Sequence, residues 1–335
     1  MELASMNALQ LKRASETDLV KSEMVSVPIP KLKPDHALVH VKYASIQPSD
    51  RLNAQGLFPS TTYPRIPGRD YSGTVVDISS NSEESKSWIG KNVYGSSGSS
   101  LGFDTDGTHA QYCLIPQNAL VEIPTTMSLL QAATVGVPFT TAHLCLTKAR
   151  VSENDVVLVL GANGAVGSAA AQMARAMGCK RVLTAVRRPV SNPDIVLVSD
   201  SPGISLSENI STLTSDKGID VVIDTVGDMD LMSAAVEKLA FQGRYIWIAA
   251  PRGVVSRRLS FDVFQGYRKE ITLLGCNSVA RTLEDTAGYL RSVNTWIDRG
   301  LLKALPEETF GTVKLDEAIE DGYKKTAQKV VIDMS

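Results

Sequence analysis

From residue 155 onward, unbroken apolar runs of strand length alternate with segments of helical composition. The runs are DVVLVL (155–160), RVLTAV (181–186), DIVLVS (194–199), IDVVIDTVG (219–227), GRYIWIAA (243–250) and ITLLGC (271–276). Helices are expected over 165–177, near 205–216 and near 229–240. Continuous apolar strands suit a parallel sheet covered on both faces, so the alternation predicts a doubly wound α/β domain. The first ~120 residues read differently, as short β-like runs such as HALVHVKYASI, YSGTVVDIS and KNVYG separated by turn residues. Two polar stretches, 79–87 and 95–107, lack any apolar period and read as surface loops. After ITLLGC, a helix around 281–299 precedes GTVKLDEAIEDGYKK and a closing strand, QKVVIDMS. That tail has no partner strand near it in sequence, so it must pack back onto the β-rich N-terminal part.

Length and composition narrow the functional classes. A chain of 335 residues favours two domains, and 43% hydrophobic with 21% charged residues describes an ordinary globular protein. A formal net charge of -2 offers no polycationic surface for nucleic acid or for anionic lipid. The opening MELASMNALQLKRAS has no secretory pattern, and no stretch is expected to approach the roughly 20 apolar residues of a membrane span. A cytoplasmic location and a small-molecule substrate are therefore expected. The four cysteines, Cys113, Cys145, Cys179 and Cys276, include no CxxC pair and suit neither a disulfide framework nor a zinc cluster.

VVLVLGANGAVGSAAAQMARAMG carries the strongest chemical signal. An apolar strand runs into Gly161, Ala162, Asn163, Gly164, Ala165, Val166 and Gly167, and an alanine-rich helix follows at once. Gly164 would let the backbone approach a pyrophosphate, and Gly167 would let helix and strand pack closely. The helix start then offers free N–H groups and a partial positive charge to the phosphates. The pattern is AxGxxG, because Ala162 stands at the first glycine. A structural tight turn is the bland alternative. NAD sites place an acid after the second strand, for the ribose 2′-OH. Here that strand ends in Arg187 and Arg188, with no acid until Asp194. Guanidinium groups suit a 2′-phosphate, which favours NADPH; a solvated basic turn is the alternative.

Several segments together resemble the medium-chain dehydrogenase/reductase superfamily, in its quinone oxidoreductase-like branch. They are VKYASIQPSDRLNAQGLFP, YPRIPGRDYSGTVVDI, WIGKNVYG, GTHAQYCLIP, ATVGVPFTTAHLCL, LGANGAVGSAAAQMA, VVIDTVG and GRYIWIAA, in the family's order from about residue 35 to the end. The resemblance implies a GroES-like, β-rich substrate domain over 1–122, completed by 278–335. It further implies a Rossmann NADPH-binding domain over 123–277 and a cleft between the two for the nicotinamide. It implies a homodimer joined through edge strands, with ITLLGCNS as that edge. Zinc-using relatives carry ligands where this chain has Gln47, the Gly68-Arg69-Asp70 triplet and Val137. Those positions offer no thiolate or imidazole, so no metal is expected. His36, His40, His109 and His143 are expected to be packing or surface residues. Without a Lewis acid, the chemistry left is hydride transfer to an activated acceptor: an enone, an enoyl group or a quinone.

Candidate site residues follow from the same resemblance. Gln47 and Asp50 occupy the segment bordering nicotinamide and substrate, with Gln47 expected to donate to the substrate carbonyl. Asp50 contacts the cofactor side, or organises the loop and pairs with an arginine. Phe58 stands where relatives have tyrosine, which leaves Tyr63 as a candidate proton source for an enolate; a packed loop tyrosine, with water giving the proton, is the alternative. Arg69 pairs with Asp70 or Asp50, or binds an oxyanion. Thr141 matches a position near the nicotinamide ribose. Asp224, Thr225 and Val226 close the fourth strand and Ala249 and Ala250 the fifth, at the carboxyl ends that border the ligand crevice. One departure stands out. Only RRPVSNP separates the second and third strands, too short for a crossover helix, so the third strand is expected to be displaced or absent. A trans-acting enoyl reductase of polyketide or secondary-metabolite biosynthesis and a non-catalytic NADPH-binding protein remain as alternatives.

Overall fold

The structure, a computed structural model, describes residues 5–80, 82–188, 193–198, 200–251, 256–325 and 329–335. The chain opens with an antiparallel hairpin, β1 (Ser5–Lys12) and β2 (Lys21–Pro28). β3 (His36–Ile46) follows, with Ala37, Val39 and Val41 buried on one face by the period-two pattern of HALVHVKYASI. Next come α1 (Pro48–Ala54), β4 (Tyr71–Ile78), α2 (Glu83–Lys86), β5 (Asn92–Gly95), β6 (Tyr112–Pro116), β7 (Val121–Glu122) and α3 (Leu129–Lys148). β3 is long enough to be shared. Its first half pairs β6, and its last residues pair with the C-terminal strand.

The second part alternates as its apolar runs predict. It comprises β8 (Val156–Leu160), α4 (Ala165–Ala176), β9 (Arg181–Val186), β10 (Ile195–Val196) and α5 (Pro202–Thr214). After these come β11 (Ile219–Asp224), α6 (Met229–Glu237), β12 (Leu239–Trp247), α7 (Val263–Arg268) and β13 (Thr272–Gly275). These strands form one parallel sheet in the order β10-β9-β8-β11-β12-β13. Numbered within the domain, that is 3-2-1-4-5-6, the doubly wound dinucleotide-binding order. Its core includes Leu158, Leu160, Leu183, Leu206, Val222 and Tyr245. Burying each such side chain contributes about 1.5–3 kcal/mol.

α8 (Leu283–Asp298), β14 (Phe310–Lys314) and β15 (Lys329–Asp333) then return to the first part. β15 pairs antiparallel with β3, and β14 lies parallel to β15, completing the sheet β14-β15-β3-β4-β5-β7. By contacts the chain forms two units: Met1–Thr140 with Val279–Ser335, and Thr141–Ser278. The break from the first to the second falls within α3, between Thr140 and Thr141, whereas the resemblance implies a boundary at 122/123.

Two expectations need correction. The third strand is neither absent nor displaced. β10 is only two residues long, yet it pairs in register with β9, Ile195 with Ala185 and Val196 with Val186. No helix precedes it among the described residues; 189–192 lie outside them. Pairing is short because the Asp194 carboxylate, at 2.9 Å, takes the Thr184 N–H that a longer strand would have satisfied. Second, one segment does reach membrane-span dimensions. α3 has 20 residues and a mean hydropathy of 1.3 over its most apolar window, but 72% of that window is buried inside the protein. Its apolar surface is spent on the core.

Candidate functional site

The strand–turn–helix at β8 and α4 has the geometry of a phosphate cradle. Gly161 adopts φ +78°, and a Cβ there would come within 2.6 Å of the Thr225 hydroxyl and 2.9 Å of Val226. Gly167 is buried at the first turn of α4; a Cβ on it would lie 2.3 Å from the Gly161 carbonyl. Gly161 is thus required by its left-handed φ and Gly167 by close backbone approach. Gly164 is the N-cap, exposed and without a side-chain cap, so the N–H groups of the turn carrying Ala165 and Val166 are left for an external anion.

This turn opens onto a cavity of about 700 Å³. Gly161, Asn163 and Gly164 form one wall, and Thr225 and Val226 another. Leu197 and Leu231 give it apolar surface, and Arg187 and Arg188 stand exposed at its edge. Asn163 Nδ2 donates to the Arg188 carbonyl at 2.6 Å, tying the glycine turn to the basic one. Asp194, the first acid after β9, is not among the residues lining this cavity. One carboxylate oxygen accepts both the Thr184 N–H (2.9 Å) and its hydroxyl (3.0 Å). The residues therefore fit a dinucleotide: bare backbone under the diphosphate and two cations where an adenosine ribose would end. Leu197 and Leu231 escaped the sequence reading, because their runs showed apolar character but not which faces meet the cavity.

The other cofactor-side candidates divide. Thr225 lines the cavity but donates its hydroxyl to the Leu160 carbonyl at 2.8 Å. Asp224 does not offer its carboxylate. It is fully buried and accepts from Val226 N–H, Gly227 N–H and the Tyr245 hydroxyl at 2.8, 3.0 and 2.8 Å. Burial raises its pKa. Its role is to hold the end of β11, so its assignment as a cofactor contact is corrected. Ala249 is half-buried and Ala250 exposed after β12, outside the cavity's lining. Gly227 admits their backbone, since a Cβ there would sit 2.4 Å from the Ala249 carbonyl carbon. Thr141 is buried within α3.

In the first unit, Gln47, Asp50, Arg69 and Asp70 form one buried polar cluster. α1 starts at Pro48, and Asp50 in its first turn accepts the Gln47 backbone N–H at 2.8 Å. Arg69 Nε lies 3.5 Å from Asp50 Oδ1, with both side chains 3% exposed. The Arg69 guanidinium also donates to the Ser49 hydroxyl and lies over the Phe103 ring at 5.7 Å. Asp70 is the acceptor at the centre. It takes Val137 N–H on both oxygens (2.8 and 3.0 Å), Gln47 Nε2 at 2.9 Å and the Ser45 hydroxyl at 3.4 Å. Gly136 makes room, because a Cβ there would lie 2.4 Å from Asp70. Burial pushes the Asp70 carboxyl up to about 6.

Two expectations fail here. Gln47 directs its amide nitrogen to Asp70 and, at 3.0 Å, to the Ser45 hydroxyl, so its donors are used inside the protein and it is not the donor to a substrate carbonyl. Tyr63 does not join the cluster. Its hydroxyl is buried with no hydrogen-bond partner, and burial raises its pKa against the opposing charge of Arg13. A phenol so placed has no relay for a proton. The sequence reading also missed a neighbouring pair. His109 is fully buried, with Nε2 3.2 Å from the Ser45 carbonyl and Nδ1 2.8 Å from the Tyr323 hydroxyl. A carbonyl only accepts, so Nε2 carries the proton and Nδ1 accepts from Tyr323. Burial lowers the His109 pKa and keeps the ring neutral.

Zinc needs lone pairs from thiolate, imidazole or carboxylate. At the matching positions Gln47 presents N–H groups inward, Arg69 is a cation, Val137 is aliphatic and Asp70 is already saturated. This donor set does not fit zinc.

Residues 33–125 match the family described as alcohol dehydrogenase GroES-like domain, and residues 165–294 the family described as zinc-binding dehydrogenase. A zinc-type alcohol dehydrogenase-like protein of Schizosaccharomyces pombe is 41% identical over 98% of both chains. The quinone oxidoreductase of Sus scrofa is 30% identical over 94% of this chain and 93% of its own. Among solved structures, a Sinorhizobium meliloti protein bound to NADP superposes with a TM-score of 0.79 at 20% identity, covering 98% of this chain and 99% of its own. An Escherichia coli alcohol dehydrogenase complexed with NADH does so with a TM-score of 0.78 at 20% identity, over 99% and 100%.

Proposed function

The chain belongs to the medium-chain dehydrogenase/reductase superfamily, and from that premise we propose that it is an NADPH-dependent reductase acting without a metal on an activated C=C bond, in an enone or enoyl substrate, or on a quinone. The observation that carries the cofactor choice is the pair Arg187 and Arg188 lining the glycine-turn cavity, with Asp194 outside that lining and bonded through one oxygen to Thr184. An NAD site needs a carboxylate for the ribose 2′-OH; here two guanidinium groups would meet a 2′-phosphate. One of the solved relatives in fold holds NADP and another NADH, so the fold itself does not choose.

When bound, the cofactor supplies hydride. The chain's own residues supply position and charge. The start of α4 and its glycines would hold the diphosphate, and Leu197 and Leu231 offer the apolar surface an adenine requires. In the polar cluster, Asp70 fixes Gln47, and Asp50 holds Arg69. That cation is the group suited to stabilise negative charge developing on a carbonyl or quinone oxygen. The protonation that follows is assigned to water, since the Tyr63 hydroxyl is unconnected. No step passes through zinc, for which the donor set is wrong. A cytoplasmic location belongs to the same reading, and thiol cysteines suit a reducing compartment.

The experiment follows NADPH absorbance with the purified protein, offering 2-enones, quinones and enoyl thioesters, alongside the variant Arg187→Ala/Arg188→Ala. Oxidation with enones or quinones is expected. Charge-assisted hydrogen bonds contribute about 1.5–3 kcal/mol each, so the double variant should weaken NADPH by about a hundredfold or more and leave NADH nearly unchanged. Turnover of enoyl thioesters alone would mark a biosynthetic enoyl reductase. Binding of NADPH with no oxidation by any acceptor would mark a non-catalytic nucleotide-binding protein. Equal losses for both cofactors would remove the 2′-phosphate assignment.

A further inference from the structure

The polar cluster around Arg69 is supported from beneath by groups that the reaction itself would not use. Residues 107–109 run alongside 66–70 and bond to them. Gly107 N–H donates to the Ile66 carbonyl at 2.8 Å, His109 N–H to that of Pro67 at 3.0 Å and Thr108 N–H to that of Gly68 at 3.2 Å. The Thr108 hydroxyl donates to the Asp70 carbonyl at 3.1 Å. The His109 ring fills the space under Gly68, the residue before Arg69. A Cβ there would lie 2.3 Å from the ring, at a φ of +97° that also demands glycine. The ring is fixed at both nitrogens: Nε2 donates to the Ser45 carbonyl at 3.2 Å, and Nδ1 accepts the Tyr323 hydroxyl at 2.8 Å. Tyr323, itself buried, ends a turn of π-helix, Ala318–Tyr323, a form frequent at functional sites. The same turn reaches the other side of the cation. Arg51 Nη2 donates to the Gly322 carbonyl at 3.0 Å, and Arg51 directly follows Ser49 and Asp50, which hold the Arg69 guanidinium. One C-terminal turn thus fastens both α1 and the support under Gly68.

We propose that Tyr323 and His109 are positioning residues for Arg69, keeping its guanidinium where negative charge develops on the substrate oxygen. The proposal rests on the reading of Arg69 as the charge-stabilising group. Packing alone does not call for this pair. An apolar pair of the same shape would serve stability as well, because a buried hydrogen bond contributes little net energy. What the bond supplies is direction. With the Tyr323 hydroxyl donating to Nδ1 and the Ser45 carbonyl accepting from Nε2, a flipped imidazole would set carbon against both partners. The ring therefore holds one orientation, edge-on to Tyr323 with 5.7 Å between centroids and 82° between planes. A ring that turned would press on Gly68, which has no side chain to absorb the movement, and so would shift the Arg69 backbone. Arg69 has little slack, since its Nε stands 3.5 Å from Asp50 Oδ1 and the side chain is 3% exposed. Displacing a charge-stabilising group by about 1 Å can cost on the order of a hundredfold in rate. Tyr323 and His109 act through Arg69 and touch no reacting atom.

The test is kinetic and spectroscopic, on the full chain with NADPH and an enone or quinone that it reduces. Tyr323→Phe removes one oxygen and keeps the ring. It should lower kcat about tenfold or more and leave the acceptor KM and the NADPH Kd within about twofold, the mark of an interaction made only in the transition state. Arg69→Ala should lower kcat about a hundredfold or more. The double variant Arg69→Ala/Tyr323→Phe should match Arg69→Ala within about twofold, because nothing is left to position; a merely structural tyrosine would lower both backgrounds alike. His109→Phe should lose at least as much as Tyr323→Phe, and His109→Gln, which can still donate and accept, should recover part of the rate. In nitrogen-15 NMR of labelled histidine, His109 should carry its proton on Nε2, and Tyr323→Phe should shift the Nδ1 resonance. Wild-type kcat in Tyr323→Phe with Arg69→Ala crippled, additive losses in the double variant, no recovery in His109→Gln, or an unshifted Nδ1 overturns this proposal alone. Full kcat in Arg69→Ala, or no acceptor reduced, overturns the reading of Arg69 and the proposal with it.

Discussion

At Asp70, burial and hydrogen bonding pull in opposite directions. Removal from water pushes the carboxyl up from 3.8 to about 6, while Val137, Gln47 and Ser45 all donate to it. The sign of the pH effect follows. Between pH 3.8 and about 6 the folded chain holds a proton that the unfolded chain has released, so this group's contribution to stability is whole below 3.8 and is lost as pH rises through 6. The loss amounts to about 3 kcal/mol. Asp70→Asn should therefore flatten the fall in stability across that window in urea titrations, and an unchanged slope would show that another group governs it. The residue scale is also where the sequence reading was weakest. The place of Arg187 and Arg188 at the cavity was legible, because it needs only a position after β9. Gln47 was not, because its donors are spent on residues that enter from elsewhere in the chain.

The element that sets the nucleotide cradle is the junction of β8 and α4. Its geometry is local: every atom that makes Gly167 necessary lies within six residues of it. Gly167→Ala would press a Cβ to 2.3 Å from the Gly161 carbonyl, and backbone cannot yield as a flexible side chain can. The expected cost is about 1–3 kcal/mol, read as a lower melting temperature, together with weakened NADPH binding as α4 tilts away. Full retention of both would mean the turn is looser than drawn. A locally built turn of this kind is visible in AxGxxG alone. β10 was not visible in the same way, because its place beside β9 depends on Asp194 substituting for a strand partner. α3 carries a similar non-local feature. Val137 N–H, next to Pro138, is met by Asp70 from the residue just before β4.

For the whole molecule, the sheet order leaves β13 as an outer strand, bonded to β12 on one side. α7, just before it, exposes Phe264 and Tyr267 at 56% and 63%. An open strand edge beside exposed aromatic surface favours self-association, so we propose a homodimer paired through β13. Light scattering should give the mass of two chains, and Phe264→Asp/Tyr267→Asp should shift it toward one; a monomeric wild type would dismiss the dimer. Periodicity and short-range spacing were enough to specify the parallel sheet, the glycine turn and the basic residues after β9, since each depends on atoms a few positions apart. The return of β15 to β3 was inferable for want of any other partner. Folding alone decided which polar groups stay available. Gln47, Asp194 and Asp224 each meet acceptors or donors within the protein. Hydrogen bonding saturates, so a side chain's chemistry is known only when all its neighbours are, and those neighbours are assembled by packing rather than by order along the chain.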